Sequence, residues 1–302
     1  MPGYARKVPR MQSGYAIGAA GLFGMAPTGL VACRAMGNKA AMAKTTHHLD
    51  LTIADPLGII TLANPPLNFL SVELLGAIAD AVEACDADPR VRVIVLRAQG
   101  RTFCAGADLV GGAAGESGAD GLAAIRRLYD QALRLFRRRK PMVAAIGGAA
   151  VGAGLGLALS ADFRVASPAA RFSANFVALG FHPGFAISHT LPRVIGAQRA
   201  AWMMLSAERV KGAQALDWGL VDRLVEADDL DTAAQAMAQE MAANGPLALV
   251  AVRGTMVRGL ADAVAAALDH ELAEQAILRE TADYAEGVAA VFERRPARFT
   301  GR

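Results

Sequence analysis

The sequence predicts an α/β fold, and three observations carry that reading. Val91–Leu96 and Met142–Ile146 are almost continuously apolar, as strands buried on both faces of a parallel sheet must be. Between them lie segments with apolar residues at helical spacing, such as Leu74, Ile78, Val82 and Cys85. From Phe185 the pattern is helical nearly to the end, punctuated by Gly196, Gly212, Gly219 and Gly245-Pro246. Strands therefore alternate with crossover helices up to about residue 180, and an all-helical tail follows.

Taken in order, Leu49–Ile53 alternates, Asp55-Pro56-Leu57-Gly58 has turn chemistry, and Gly58–Leu62 continues as a second strand, which makes a hairpin. Ser71–Cys85 reads as a helix closed off by Pro89. The glycine-rich stretch Gly111–Gly121 reads as a loop. The helix after it turns Ile125, Leu128, Ala132, Leu135 and Phe136 inward. Arg137-Arg138-Arg139-Lys140 at its end reads as a solvated cationic terminus that complements the helix dipole. A glycine-rich turn, Gly147–Gly156, leads into a helix over Leu155–Ser160, and Phe163–Ala166 and Arg171–Ser173 read as short strands.

Composition narrows the function classes. With 302 residues and 54% apolar content the chain can bury a large core. No apolar run reaches the ~18 residues of a membrane span. The net charge of +3 comes from the N-terminal region, whose six bases (Arg6, Lys7, Arg10, Arg34, Lys39, Lys44) face no acid. The remainder is mildly acidic, so neither nucleic acid nor a membrane is an expected partner. Three cysteines, Cys33, Cys85 and Cys104, without a C-x-x-C pair point to a reducing cytoplasm and to neither a disulfide framework nor a metal site. Residues 1–44 show no helical or strand period. They allow a secretory or lipoprotein signal, a transit peptide, or an over-long start with translation from Met42, and the last is the reading expected here. Residues 1–41 are expected to be dispensable.

Two segments share one plan: a buried strand, then a turn of small residues. They are Val91–Leu96 with Gly100–Asp108, and Met142–Ile146 with Gly147–Gly156. Small residues let a ligand approach the main chain, and free N–H groups at such turns face a developing negative charge. Two turns side by side would make an oxyanion hole for a carbonyl. A dinucleotide fold is the competing reading of Gly152-Ala153-Gly154-Leu155-Gly156, but residues 174–178 lack the acid it would need after the next strand.

Residues 49–302 resemble the enoyl-CoA hydratase/isomerase (crotonase) superfamily. The resemblance rests on Arg101–Leu109, on Lys140–Gly154 and on the Ala215–Val221 helix turn, in order and at family spacing. It implies a crotonase-like spiral of β-β-α turns over residues 45–245 and a C-terminal helical segment, 246–302, used in a trimer or dimer of trimers. It also implies an acyl-CoA substrate, with coenzyme A arriving as part of the substrate, no permanent cofactor, and a place in fatty acid metabolism as a lyase or isomerase. By position the carbonyl-holding N–H groups belong to Ala107 and Ala153, with Gly154 the alternative. Ala105, Gly106 and Asp108 belong to the same signature, and Arg101 falls where relatives place a base near the CoA phosphates.

The departures are specific. Where hydratases place their two glutamates this chain has Gly156 and Phe176, and where aryl-CoA dehalogenases place a nucleophilic aspartate it has Gly184. Water addition needs one group to activate water and another to deliver a proton, and neither glycine nor phenylalanine does either. His182 is then the candidate acid or base, histidine being the side chain suited to proton transfer at neutral pH. Asp108 also suits a turn cap. His189 reads as a packed helix residue and Asp162 as structural. Asn175, Ser173 and Glu116 are further polar candidates. An enzyme of altered chemistry (hydrolase, decarboxylase or isomerase) and a non-catalytic acyl-CoA binder or assembly partner both remain open at this point.

Overall fold

A computed structural model describes residues 44–46, 48–108 and 118–302. The expectations for residues 1–43, and those for Cys33, Leu109 and Glu116, lie outside the described residues.

Strand β1 (Lys44–Thr46) pairs antiparallel with β2 (Leu49–Ala54), and β2 with β3 (Leu57–Leu62). Ala54 faces Leu57 in register, so the hairpin turn is Asp55-Pro56 alone and the second strand starts one residue earlier than its sequence suggests. Helix α1 (Val72–Ala87) follows. Ser71 caps it, its hydroxyl accepting the Leu74 N–H at 3.1 Å.

Three pairs of strands then repeat one plan, β4 (Val93–Ala98) with β5 (Thr102–Cys104), β6 (Met142–Ile146) with β7 (Ala149–Val151), and β8 (Phe163–Ala166) with β9 (Arg171–Ser173). The first of each pair extends a large sheet, ordered β1-β2-β3-β4-β6-β8 and parallel from β3 on; the second extends a small one, with β5, β7 and β9 parallel. Between the pairs run α2 (Gly118–Phe136) and α3 (Ala153–Ser160). After a 3-10 turn, Asn175–Leu179, come α4 (Ile187–Ile195), α5 (Ala197–Ser206), β10 (Arg209–Lys211), α6 (Gly212–Asp217), β11 (Arg223–Leu224), α7 (Leu230–Ala242), α8 (Pro246–Met256), α9 (Leu260–Leu278) and α10 (Ala282–Glu293). The fold is α/β, with repeated β-β-α units and a C-terminal helical segment.

Burial on both sheet faces explains the continuous apolar strands. Val143 and Ala145 of β6 pack with Val93, Val95 and Val165 under α7, through Leu230, Ala234 and Met237. Met142, Ala144 and Ile146 point the other way, into the main core with Ile94, Leu96, Ile78 and Leu135.

Three expectations need correction. The stretch after Phe185 is not uniformly helical, because β10 pairs antiparallel with β9 and β11 pairs parallel with β8. Strands of two or three residues are too short to show a period; the open sheet edges recruit them. The expected loop to Gly121 ends early, since α2 already starts at Gly118. Burial of Ala124, Ile125 and Leu128 outweighs the roughly 1 kcal/mol that a glycine costs in a helix.

The third correction concerns the basic run after α2, which is not a solvated helix end. Arg137 and Arg139 are exposed, but Arg138 and Lys140 are buried. Arg138 donates to the carbonyls of Leu135 (2.8 Å) and Ser160 (2.6 Å) and to Asp162 (2.7 Å). Arg253 of α8 donates to the same carboxylate at 3.0 Å. Lys140 Nζ donates to the carbonyls of Cys85 (2.6 Å) and Asp88 (2.7 Å) at the end of α1. The helix ends at Phe136, so the four residues do not lie on one helical face.

Candidate active site

The two glycine turns meet back to back. β5 and β7 pair in parallel, Thr102 opposite Ala149 and Cys104 opposite Ala150. A Cβ on Gly148 would lie 1.9 Å from the Arg101 carbonyl oxygen, and one on Gly154 would lie 2.1 Å from that of Cys104. Only residues without a side chain permit main chains to pack this closely.

Both turns open onto one cavity of about 310 Å³, within the ordinary range for small-molecule sites. Ala105, Gly106, Ala107 and Asp108 line it from the first turn, and Val151, Gly152 and Ala153 from the second. Leu70 N–H donates to the Gly106 carbonyl (2.9 Å) and Asp108 N–H to the Leu70 carbonyl (3.1 Å). Those bonds bracket Ala107 in a parallel bridge, so its own N–H points away from Leu70. Ala153 is the first residue of α3, where N–H groups have no partner within the helix. Gly152 precedes it at φ 54°, ψ −121°, with its N–H spent on the Ser173 carbonyl at 2.9 Å.

Of the other expected site residues, Gly154 packs against the Cys104 main chain and does not line the cavity. Arg101 is exposed and away from the lining. His182 is half-buried beside the cavity but not on its lining. Its Nδ1 lies 2.8 Å from the Pro183 carbonyl, and its ring meets His270 edge-on at 5.9 Å. His189 is half-buried on α4, and burial, then Arg193, pushes its pKa down. Asn175 lines the cavity, whereas the Ser173 hydroxyl is buried elsewhere, donating to the Ala207 carbonyl at 3.4 Å.

The remaining walls are apolar and largely aromatic, with Phe69, Tyr129, Phe176, Phe181, Phe185 and Phe292 all on the lining. Phe176 lines the cavity. Gly156 has no room for a side chain, because a Cβ there would lie 2.5 Å from Cδ1 of Phe185. A Cβ on Gly184 would meet the Tyr129 hydroxyl at 2.2 Å. Asp108 is the one carboxylate on the lining among the described residues.

Sequence reasoning missed the polar support behind this wall. Tyr129 of α2 donates to Gln275 Oε1 (3.0 Å), and Gln275 Nε2 donates to the His182 carbonyl (2.9 Å). Glu271, one turn earlier on α9, accepts from the N–H of Ala186 (2.7 Å), the N–H of Ser188 (3.0 Å) and the Ser188 hydroxyl (2.6 Å). A signal was present: Val264, Leu268, Glu271 and Gln275 form a buried stripe at helical spacing whose last two members are polar. Burial pushes the Tyr129 hydroxyl well above the usual tyrosine range. Burial likewise pushes the Glu271 carboxyl up to about 7, and its three hydrogen bonds keep it from rising further.

A raised carboxyl pKa has a definite linkage sign. Its contribution to stability is full below the unfolded value near 4.5 and is lost as pH rises through about 7. The difference corresponds to about 3 kcal/mol at 1.36 kcal/mol per pKa unit. Urea unfolding at pH 5 and pH 8 should therefore show the wild type weaker at pH 8, and Glu271→Gln should flatten that slope. An equal slope in the variant would refute the assignment.

Among the described residues, no group of three His, Cys, Asp or Glu side chains is placed to hold a metal, and no helix is long and apolar enough to cross a membrane. The family model described as enoyl-CoA hydratase/isomerase matches residues 52–302. A probable enoyl-CoA hydratase of Rhodobacter capsulatus is 34% identical over 261 residues, covering 85% of this chain and 99% of its own. The 1,2-epoxyphenylacetyl-CoA isomerase of Escherichia coli is 32% identical, covering 81% of this chain and 96% of its own. Among solved structures, an enoyl-CoA hydratase/isomerase from Pseudoalteromonas atlantica superposes with a TM-score of 0.74 at 31% identity, covering 84% of this chain and 100% of the other. With the paired strand units, the back-to-back glycine turns and a match over most of its length, this chain belongs to the enoyl-CoA hydratase/isomerase (crotonase) family of enzymes.

Proposed function

We propose that the chain isomerises an acyl-CoA thioester with a large apolar or aromatic acyl group. In this reading the N–H groups of Ala107 and Ala153 hold the thioester oxygen, and Asp108 moves the proton. On a β,γ-unsaturated acyl group, Asp108 takes a proton from the carbon next to the carbonyl, the negative charge collects on the oxygen between the two N–H groups, and the same proton returns to the γ-carbon as the double bond moves into conjugation with the carbonyl. Atoms and charge balance without water or a cofactor, and coenzyme A enters only with the substrate.

The carrying observation is the cavity wall: six aromatic side chains and one carboxylate beside the Ala107 turn, with Phe176 on the lining and Phe185 packed over Gly156, Phe176 and Gly156 being the two positions where the resemblance would put the hydratase glutamates. The similarity to an isomerase of a phenylacetyl-CoA derivative supports the same substrate class. The reading extends to residues 45–245 as the catalytic core and 246–302 as an oligomerisation segment forming a trimer or dimer of trimers in the cytoplasm. Leu247, Val252 and Met256, exposed on α8, support that assembly.

Hydration of crotonyl-CoA should be far slower than ~10 per second, the median for enzymes. Deuterium exchange at the α-carbon of an unsaturated or aryl acyl-CoA, followed by NMR in heavy water, should be rapid. Asp108→Asn should slow that exchange by ~100- to 10,000-fold while the ester still binds. Fast crotonyl-CoA hydration, or exchange untouched by Asp108→Asn, would overturn the reading.

A further inference from the structure

Phe185 and Ala186 are consecutive non-glycine residues in the left-handed region, at φ 62° and 55°. That region costs roughly 1–2 kcal/mol per residue, so surrounding contacts must enforce it. The enforcing contacts come from α9. Gln275 Nε2 donates to the His182 carbonyl at 2.9 Å and to the Pro183 carbonyl at 3.4 Å, fixing the chain before Phe185. Glu271 takes the Ala186 N–H at 2.7 Å and both donors of Ser188, fixing the chain after it. Glu271 and Gln275 are fully buried and one turn apart, and the Tyr129 hydroxyl orients the Gln275 amide. Between these two anchors the Phe185 side chain is pressed onto Gly156, with three of its atoms within 2.6 Å of where a Cβ on Gly156 would be, and it forms part of the cavity wall.

We propose that Glu271 and Gln275 are positioning residues that clamp the strained Phe185–Ala186 pair, and that Phe185, so held, sets the upper size limit of the acyl group. Neither residue of the clamp touches the reacting atoms by this assignment; they act through Phe185. The specificity part rests on the acyl-CoA reading above, whereas the clamp itself does not.

Two measurements separate them. The first uses the protein without ligand. Amide hydrogen exchange at Ala186 and Ser188 should be slow in the wild type, about 10-fold or more faster in Glu271→Ala, and largely restored in Glu271→Gln, whose side-chain oxygen can still accept. Exchange unchanged in Glu271→Ala would overturn the clamp. The second compares kcat/KM over acyl-CoA esters graded from butyryl to phenylacetyl and longer acyl groups. Phe185→Ala should shift the ratio of large to small esters toward the large by at least about 10-fold, the low end of what a single methylene in a pocket commands. Glu271→Ala should move the same ratio in the same direction, which a general loss of stability would not do, since it lowers all esters alike. An unchanged ratio in folded Phe185→Ala would overturn the size-limit assignment. If the wild type acted on none of the esters, the acyl-CoA reading and the size limit resting on it would fall together, with the exchange result still deciding the clamp.

Discussion

Ala153→Val should abolish acyl-CoA binding and turnover while the chain still folds and assembles. Ala153 opens α3, lines the cavity and is only 8% exposed, so its methyl group already sits at the cavity surface. A valine adds two methyl carbons with little rotational freedom in the space a thioester would need. The first turn of a helix tolerates valine, and the main-chain packing at Gly154 is left intact. Loss of a carbonyl donor typically costs ~100- to 1,000-fold in rate, and physical blockage should cost at least as much. Calorimetric titration with a non-hydrolysable acyl-CoA analogue reads the effect, with size-exclusion chromatography as the folding control. Unchanged affinity in a correctly assembled variant would move the carbonyl site elsewhere.

Asp162→Ala should cost about 3–5 kcal/mol of stability. The Arg138 side chain is 1% exposed and that of Arg253 7%. Both hold the same carboxylate, which also accepts the Met142 N–H at 2.9 Å, at the start of β6. Burial alone would push the Asp162 carboxyl up, but the two guanidiniums beside it reverse that and hold it at about 2. Removing the carboxylate leaves two buried cations facing each other and one strand N–H without its acceptor. Urea denaturation at neutral pH measures the loss, and a change below about 1 kcal/mol would show that the carbonyl ends of α2 and α3 suffice to hold Arg138.

Much of the scaffold was legible because burial writes itself into local periods. The β6 strand reads correctly because both of its faces are covered, and α1 because one face of it is. The two glycine turns were legible as a pair because small residues after each buried strand have few other uses. Longer-range facts left weaker marks. Nothing near Gly156 announces that a phenylalanine 29 residues later fills the space above it. The alternation of Arg137 to Lys140 reads as a plain cationic run unless the helix before it is known to end at Phe136. His182 attracted attention as the one histidine in a glycine-rich loop, yet it is turned toward Pro183 and His270. Glu271 and Gln275 were overlooked since a glutamate and a glutamine in a long helix ordinarily face water.

The contact of Gly148 and Gly154 with the carbonyls of Arg101 and Cys104 bears on how such an enzyme can change over generations. A main-chain N–H is present whichever residue is encoded, proline excepted, so most point substitutions cannot delete it. What drift can destroy is the seating, because any side chain at either glycine would lever the two turns apart. These positions carry no chemistry of their own, yet the seating of both turns depends on them. An exchange of side chains elsewhere on the cavity wall that spares these glycines leaves the two turns seated as they are.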